Sequence, residues 1–248
     1  PTGKYLPLGN QPAGQFRYYR SGLQILLQRL LAAHGHIFIP LFFRQRKNMA
    51  ADGTAKFGET ETALASGEAK EMIVVIPNVR AMKEDAVPQE VFGPVNIAAF
   101  DNFINDLRDD LMPYIETNYP VLTGKENTAI AGLSMGGRET IFIGLSMPDT
   151  FGYIGAFTPA PGLLPYTNYG VSEDGLFSTE TLTLPKGSDN FVMINAGESD
   201  GIVTVWPETY NKTLEENGVN TIFYVTDGGH DFVVWKNGLY NFLKKIFK

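Results

Sequence analysis

The sequence predicts an α/β fold, with helices on both faces of a mostly parallel central sheet. The alternation of two sequence patterns predicts this fold. From residue 71 onward, short apolar runs alternate with segments whose apolar residues recur every three or four positions. Strands that alternate with helices pair into parallel sheets, because each helix carries the chain back across one face of the sheet. The length of 248 residues fits one sizeable domain, and we expect residues 1–248 to form it.

The predicted elements follow one another regularly. The predicted strands are short apolar runs at residues 72–76, 128–131, 191–195 and 221–225. The predicted helices have one apolar face and lie at residues 100–115, 137–147, 208–217 and 232–247, the third of them ending before Gly218. Met72–Ile76 is apolar throughout and is therefore predicted to be a buried parallel strand. Residues 159–189 are rich in Pro, Gly, Ser and Thr, and are predicted to be an excursion that carries substrate-binding surface.

The composition excludes several classes of chemistry. The chain has no cysteine, which excludes disulfides, cysteine-ligated zinc and a thiol nucleophile. Its three histidines, His34, His36 and His230, are the candidates for an imidazole base. A net charge of -7 predicts no general attraction to nucleic acid or to anionic membranes. No stretch approaches the roughly 18 apolar residues of a membrane span, and the first residues lack a signal-peptide pattern.

The motif with the most chemical information is Gly132-Leu133-Ser134-Met135-Gly136. It has the form G-x-S-x-G and lies between a predicted strand and a predicted helix, which is the context of a nucleophilic serine on a sharp turn. Ser134 is the predicted nucleophile, and the Met135 N–H is the predicted donor to the oxyanion of a tetrahedral intermediate. The alternative is a glycine-rich turn that presents a serine to solvent.

A serine nucleophile needs a general base. His230 closely follows the predicted strand at residues 221–225, and Ser134 closely follows the predicted strand at residues 128–131. Because parallel strands end at the same edge of a sheet, we expect the two side chains to lie close together and His230 to be the base. The alternative is a surface histidine in a turn.

The imidazole in turn needs an acid that fixes its tautomer and orientation. Glu198 and Asp200 both follow the third predicted strand, and Asp200 is preferred because Gly201 leaves its carboxylate room to turn toward the imidazole. Alternatively, Asp200 caps the next helix, which is the function that we predict for Asp231 at the last helix. No histidine or third acid clusters beside Glu198 and Asp200, so no metal site is predicted.

Several stretches of the chain match a known family. They are KEMIVVIPN (70–78), DL (106–107), PYIE (113–116), AIAGLSMGG (129–137), GGHDF (228–232) and VWK (234–236). Together they resemble the carbohydrate esterases of family one, the group of feruloyl esterases and acetyl xylan esterases, over about residues 49–248. The resemblance implies an α/β-hydrolase fold, whose chain order of nucleophile, acid and base is matched by Ser134, Asp200 and His230.

The resemblance also implies a function. It implies a secreted serine esterase that hydrolyses feruloyl esters on plant cell-wall arabinoxylan through an acyl-enzyme, without a cofactor and with Trp235 as a substrate-binding residue. An acetyl xylan esterase is the alternative within this class. A non-catalytic carbohydrate-binding module with a hydrolase fold is the alternative from another class. The resemblance is compatible with a place in a larger multidomain enzyme.

Residues 15–48 depart from the family pattern. Residues 1–51 contain seven basic residues and no acid, so they carry +7 and the remaining chain carries -14. The His34-Gly35-His36 turn is the candidate for the second oxyanion donor, through the His36 N–H, although residues 22–33 before it are predicted to be a helix. One hypothesis is that residues 15–48 are out of frame or misassigned, and the alternative is a divergent lid. Recovery of the peptide covering residues 30–43 in peptide mapping would exclude the first hypothesis.

Overall fold

The computed structural model describes residues 17–19, 37–39, 41–44, 69–70, 72–82, 90, 93–168 and 171–248. The helix predicted at residues 22–33 and the predicted oxyanion donor His36 lie outside these residues. In the described part of the chain, no helix is both long enough and apolar enough to span a membrane.

The described strands form one large sheet and a small hairpin. They are β1 Arg17–Tyr19, β2 Ile37–Phe38, β3 Leu41–Arg44, β4 Met72–Ile76, β5 Thr128–Ser134, β6 Tyr153–Phe157, β7 Tyr166–Asn168, β8 Val171–Glu173, β9 Phe191–Gly197 and β10 Thr221–Thr226. The large sheet has the order β1-β4-β3-β5-β6-β9-β10, with β2 paired to β5. Strands β5, β6, β9 and β10 pair in parallel, whereas β1, β2 and β3 pair antiparallel with their neighbours. The hairpin of β7 and β8 lies within the predicted excursion at residues 159–189.

The helices agree with the predicted ones to within a few residues, except that the first is longer and divided. They are α1 Pro94–Asp101, α2 Phe103–Asp106, a π-helical turn Leu107–Leu111, α3 Met112–Asn118, α4 Met135–Ser146, α5 Trp206–Glu216 and α6 Phe232–Leu243. Helix α5 is followed by Gly218 with a φ of 80°, a conformation that glycine adopts without a Cβ clash.

Alternate residues of the strands pack into two apolar cores, one on each face of the sheet. In β5, Ile130 contributes to a core with α1 to α5, whereas Ala129 and Ala131 contribute to a core with α6. The helices therefore cover both faces, and the predicted α/β architecture is confirmed.

The prediction for β4 is correct in its bounds and wrong in its pairing. Met72–Ile76 is buried as expected, but it pairs antiparallel with both β1 and β3. A strand covered on both faces is apolar throughout whether its neighbours run parallel or antiparallel to it, so its composition does not reveal their direction. Because β3 also runs antiparallel to β5, β4 and β5 point the same way and the sheet is still mostly parallel.

Strands β1, β2, β3 and β6 of the large sheet were not predicted. The apolar segment around residues 37–44 forms β2 and β3, in which Phe42 and Phe43 are at most 1% exposed. Strand β6, with the sequence YIGAF, is short and contains a glycine, so its strand signal is weak. It nevertheless lies in the middle of the sheet between β5 and β9.

Two charged side chains of helix α4, those of Arg138 and Glu139, are buried. The Arg138 guanidinium pairs with both Asp101 and Glu139, and Glu139 is fully buried with one carboxylate oxygen, Oε2, lacking a hydrogen-bond partner. Burial raises the pKa of Glu139 from 4.5 to about 8, and the Arg138 charge offsets this only in part. The folded protein therefore keeps the Glu139 proton to a higher pH than the unfolded chain does.

This raised pKa makes stability depend on pH. Above about pH 4.5 the unfolded chain loses a proton that the folded protein keeps, so the contribution of Glu139 to the free energy of unfolding falls until about pH 8 and is then constant. We expect Glu139→Gln to remove this fall, which thermal unfolding of both proteins at pH 5, 7 and 9 will measure. The exposed Glu116 on α3 provides the control, since Glu116→Gln should leave the pH dependence as in the wild type. Parallel curves for wild type and Glu139→Gln would contradict the assignment.

Candidate active site

Four parallel strands end at the same edge of the sheet and bring the candidate residues together. Ser134 is the last residue of β5, and Thr158 directly follows β6. Asp200 lies in the loop after β9, and His230 lies in the loop between β10 and α6. Strands β5, β6, β9 and β10 are neighbours in the sheet, so the residues that follow them lie close together at its edge.

Ser134 lies on a strained turn between β5 and α4. Its φ of 54° and ψ of -122° lie in a region that residues with a side chain rarely adopt. A Cβ at Gly132 would overlap the carbonyl group of Gly136 and lie 2.6 Å from Thr140 Oγ1, so only glycine fits there. The turn predicted from the G-x-S-x-G motif is thus present, and it holds Ser134 at the N-terminus of α4.

We expect Gly132→Ala to prevent stable folding or to lower the Tm by 10 °C or more, because the new methyl group would displace backbone in the turn, at a cost of about 3 kcal/mol or more. Gly201→Ala is the matched control, since a Cβ at Gly201 would meet nothing within 4 Å. Thermal unfolding of the two variants measures the difference. Equal Tm values would show that the turn can relax around a side chain.

His230 forms hydrogen bonds with both other members of the predicted triad. Its Nε2 atom is 2.8 Å from Ser134 Oγ, and its Nδ1 atom is 2.8 Å from Asp200 Oδ2. The side chains of His230 and Asp200 are only 9% and 2% exposed. With the proton on Nδ1 directed at the carboxylate, Nε2 is free to accept the hydroxyl proton of Ser134.

The backbone fixes the carboxylate of Asp200. Its Oδ1 atom accepts hydrogen bonds from the N–H groups of Ile202 (2.9 Å) and Val203 (3.1 Å), which leaves Oδ2 directed at His230. The alternative that Asp200 caps the next helix is wrong, because α5 begins at Trp206 with Val205 as its N-cap. Oδ1 of Asp200 caps a local turn instead, while Oδ2 contacts the imidazole. The competing acid Glu198 is exposed.

Asp231 caps helix α6, as predicted. Its carboxylate accepts hydrogen bonds from the N–H groups of Val233 (2.8 Å) and Val234 (3.3 Å), and its other oxygen accepts one from Gly229 (2.9 Å). These backbone donors, first that of Gly229, hold the pKa of Asp231 below its usual value. The cap fixes the loop that carries His230.

Met135 and Trp235 have predicted roles in oxyanion stabilisation and in substrate binding. Met135 directly follows Ser134, and Trp235 contacts His230. Met135 is the first residue of α4, so its N–H belongs to the turn whose amides have no partner within the helix. Trp235 is 5% exposed, its Nε1–H donates to Thr158 Oγ1 at 2.7 Å, and its ring contacts the His230 ring edge to face at 5.1 Å. Its substrate contact stays a prediction.

Thr158 is the neighbour of the triad that sequence reasoning missed. It is fully buried, its Oγ1 atom is 3.3 Å from His230 Nδ1, and its φ is 44°. The available signal was its place directly after a strand, but β6 itself was not predicted. In the described part of the chain, no group of three or more His, Asp or Glu side chains is arranged to hold a metal ion.

Comparison with known proteins identifies the family. A family model described as "Putative esterase" matches residues 49–246. The chain belongs to this esterase family. The match begins directly after the atypical segment at residues 15–48.

Two esterases of this kind are similar to the chain. A ferulic acid esterase of carbohydrate esterase family one from Anaeromyces mucronatus, solved in complex with ferulic acid, is 37% identical with a TM-score of 0.70, over 75% of this esterase and 68% of that chain. The "Endo-1,4-beta-xylanase/feruloyl esterase" of Xylanibacter ruminicola is 28% identical over 192 residues, or 76% of this esterase and 23% of that protein. The resemblance to family one is therefore confirmed, while this esterase spans about a quarter of the length of that bifunctional relative.

More distant proteins share the fold alone. The enterobactin esterase of Shigella flexneri is 19% identical with a TM-score of 0.56, over 75% of this esterase and 46% of that chain. Together with the family match and the 37% identical structure, the mostly parallel sheet identifies the fold as that of the α/β-hydrolases, as the chain order of the predicted residues indicated.

Proposed function

We propose that this protein is a serine esterase that releases hydroxycinnamate, chiefly ferulate, from esters on plant cell-wall arabinoxylan. The observation that carries the proposal is the unbroken row of hydrogen bonds from Ser134 Oγ through His230 to Asp200, with both links at 2.8 Å. Serine, imidazole and carboxylate in this arrangement activate a hydroxyl for attack on an ester carbonyl.

The proposed reaction has two halves. His230 Nε2 takes the proton of Ser134 as Oγ attacks the carbonyl, and the Met135 N–H stabilises the oxyanion of the tetrahedral intermediate. His230 then gives the proton to the leaving sugar hydroxyl, which leaves a feruloyl ester on Ser134. A water molecule then attacks this ester as His230 takes its proton, and His230 returns that proton to Ser134 Oγ as ferulate is released. Asp200 stabilises the imidazolium that forms in both halves, and no cofactor takes part.

The choice of acyl group is supported by the relatives. The family-one structure that is 37% identical holds ferulic acid, and the relative from Xylanibacter ruminicola is named for xylanase and feruloyl esterase activities. An arabinoxylan ester in the plant cell wall is the natural source of such a group, so we propose that the protein acts outside the cell. A place in a larger multidomain enzyme stays a prediction, as does the second oxyanion donor His36.

Parallel assays of the purified chain with methyl ferulate and with acetylated xylan test this proposal. Release of ferulate with a kcat/KM at least about 100-fold above that for acetate release supports a feruloyl esterase, since an aromatic pocket discriminates on this scale. The reverse ratio would identify an acetyl xylan esterase. Labelling of Ser134 by a fluorophosphonate provides a separate check, because a non-catalytic module would not react.

A further inference from the structure

We propose that Thr158, held by Trp235, is a positioning residue that fixes the imidazole of His230. This inference rests on the proposed esterase function. It assigns a role to Thr158 and Trp235, which both contact the His230 ring and which no step of the proposed reaction uses directly.

The hydroxyl of Thr158 provides a second acceptor for the proton on His230 Nδ1. For His230 Nε2 to accept the Ser134 proton, Nδ1 must carry a hydrogen. Nδ1 lies 2.8 Å from Asp200 Oδ2 and 3.3 Å from Thr158 Oγ1, so both oxygens can accept that hydrogen. The shorter bond carries more of the interaction, and the longer one limits rotation of the ring away from the orientation in which Nε2 meets Ser134 Oγ.

Trp235 fixes the direction of the Thr158 hydroxyl. Its Nε1–H donates to Thr158 Oγ1 at 2.7 Å, which occupies one lone pair of that oxygen. The other lone pair is left for His230 Nδ1. The indole also packs edge to face against the imidazole, with ring centroids 5.1 Å apart, and Phe232 packs against the indole at 4.9 Å.

The backbone of Thr158 is strained, and this conformation places the hydroxyl beside His230 Nδ1. A φ of 44° is a rare conformation for a β-branched residue, and strained residues that persist in folded proteins cluster at active sites. The Thr158 N–H donates to the Asn195 carbonyl at 2.9 Å, which fixes the end of β6 against β9. The hydroxyl is thereby placed beside Nδ1 with no exposure to solvent.

Thr158→Val is the decisive variant, because valine keeps the shape and the β-branching and removes only the hydroxyl. We expect its kcat for methyl ferulate to fall about tenfold with KM within about twofold, the size of effect expected from one hydrogen bond. Thr158→Ser keeps the hydroxyl and should stay within about threefold of wild type. Wild-type kcat in Thr158→Val would overturn the proposal.

Trp235→Phe tests the second link, since phenylalanine keeps an aromatic ring and loses the N–H. We expect the same loss of kcat, and no further loss in the Thr158→Val/Trp235→Phe double variant, because both changes break one chain of hydrogen bonds. Multiplied losses in the double variant would show that the two residues act independently and would overturn the coupling.

A spectroscopic measurement separates this proposal from the esterase function itself. The low-field proton resonance of His230 Nδ1 should shift in Thr158→Val and in Trp235→Phe, and stay in place in Thr158→Ser. Thermal unfolding of each variant verifies that the spectra are recorded on folded protein. If the wild type hydrolyses no ester, the proposed function fails while the resonance still tests the positioning. An unchanged resonance in Thr158→Val contradicts the positioning whatever the activity.

Discussion

Ser134→Ala is expected to lower kcat/KM for methyl ferulate by about 10⁴- to 10⁶-fold while the protein stays folded. Removal of the hydroxyl leaves no atom to attack the carbonyl, so only acceleration by oxyanion stabilisation and substrate binding remains. The change deletes one oxygen from a side chain that is 7% exposed, and the strained turn keeps the same backbone. Purified wild type and variant are compared by release of ferulate at saturating and at low substrate.

Ser146→Ala is the matched control for this prediction. Ser146 is the last residue of α4, the helix that begins directly after Ser134, and it is exposed at the far end from the triad. Its replacement should leave kcat/KM within about twofold of the wild type, as expected for a surface site. Ferulate release by Ser134→Ala at more than about a hundredth of the wild-type rate would exclude Ser134 as the nucleophile.

Asp200→Asn is expected to lower kcat about 10³- to 10⁴-fold with a small effect on folding. Asparagine keeps the oxygen that accepts the N–H groups of Ile202 and Val203, so the turn is preserved. Its amide group then faces His230 Nδ1 in place of the second carboxylate oxygen. An amide N–H donates to Nδ1, which moves the imidazole proton to Nε2 and leaves no acceptor for the Ser134 hydroxyl.

Glu198→Gln tests the other acid that the sequence offered as a partner for His230. Glu198 lies two residues before Asp200 in the same loop but is exposed. We expect its kcat to stay within about twofold of the wild type. A large loss in Glu198→Gln together with a small one in Asp200→Asn would reverse the assignment of the acid.

The parts of this protein that the sequence predicts are those set by local patterns. The turn at Ser134 is predictable because it needs a strand, two nearby glycines and a helix within about twenty residues of one another. The cap at Asp231 and the end of α5 before Gly218 follow from the conformational preferences of single residues. The helices and four of the strands follow from the spacing of apolar residues.

Other features depend on neighbours that are distant along the chain. The direction of the strands beside β4 and the place of β6 between β5 and β9 are decided when the whole sheet assembles. The choice of Asp200 over Glu198 depends on which carboxylate is buried against His230, thirty residues later. Thr158 is recognisable only once β6 is placed, because its hydroxyl meets His230 and Trp235 across more than seventy residues of sequence.

The sequence by itself therefore determined the fold class, through the alternation of strand and helix patterns, and the turn at Ser134. It also indicated His230 as the candidate base. The turn and the candidate base are each encoded within one strand and the residues that follow it. Only the tertiary structure decided which carboxylate and which hydroxyl contact His230. Hydrogen bonds of about 3 Å depend on the register of strands and on burial, and neither is encoded in the spacing of residues along the chain.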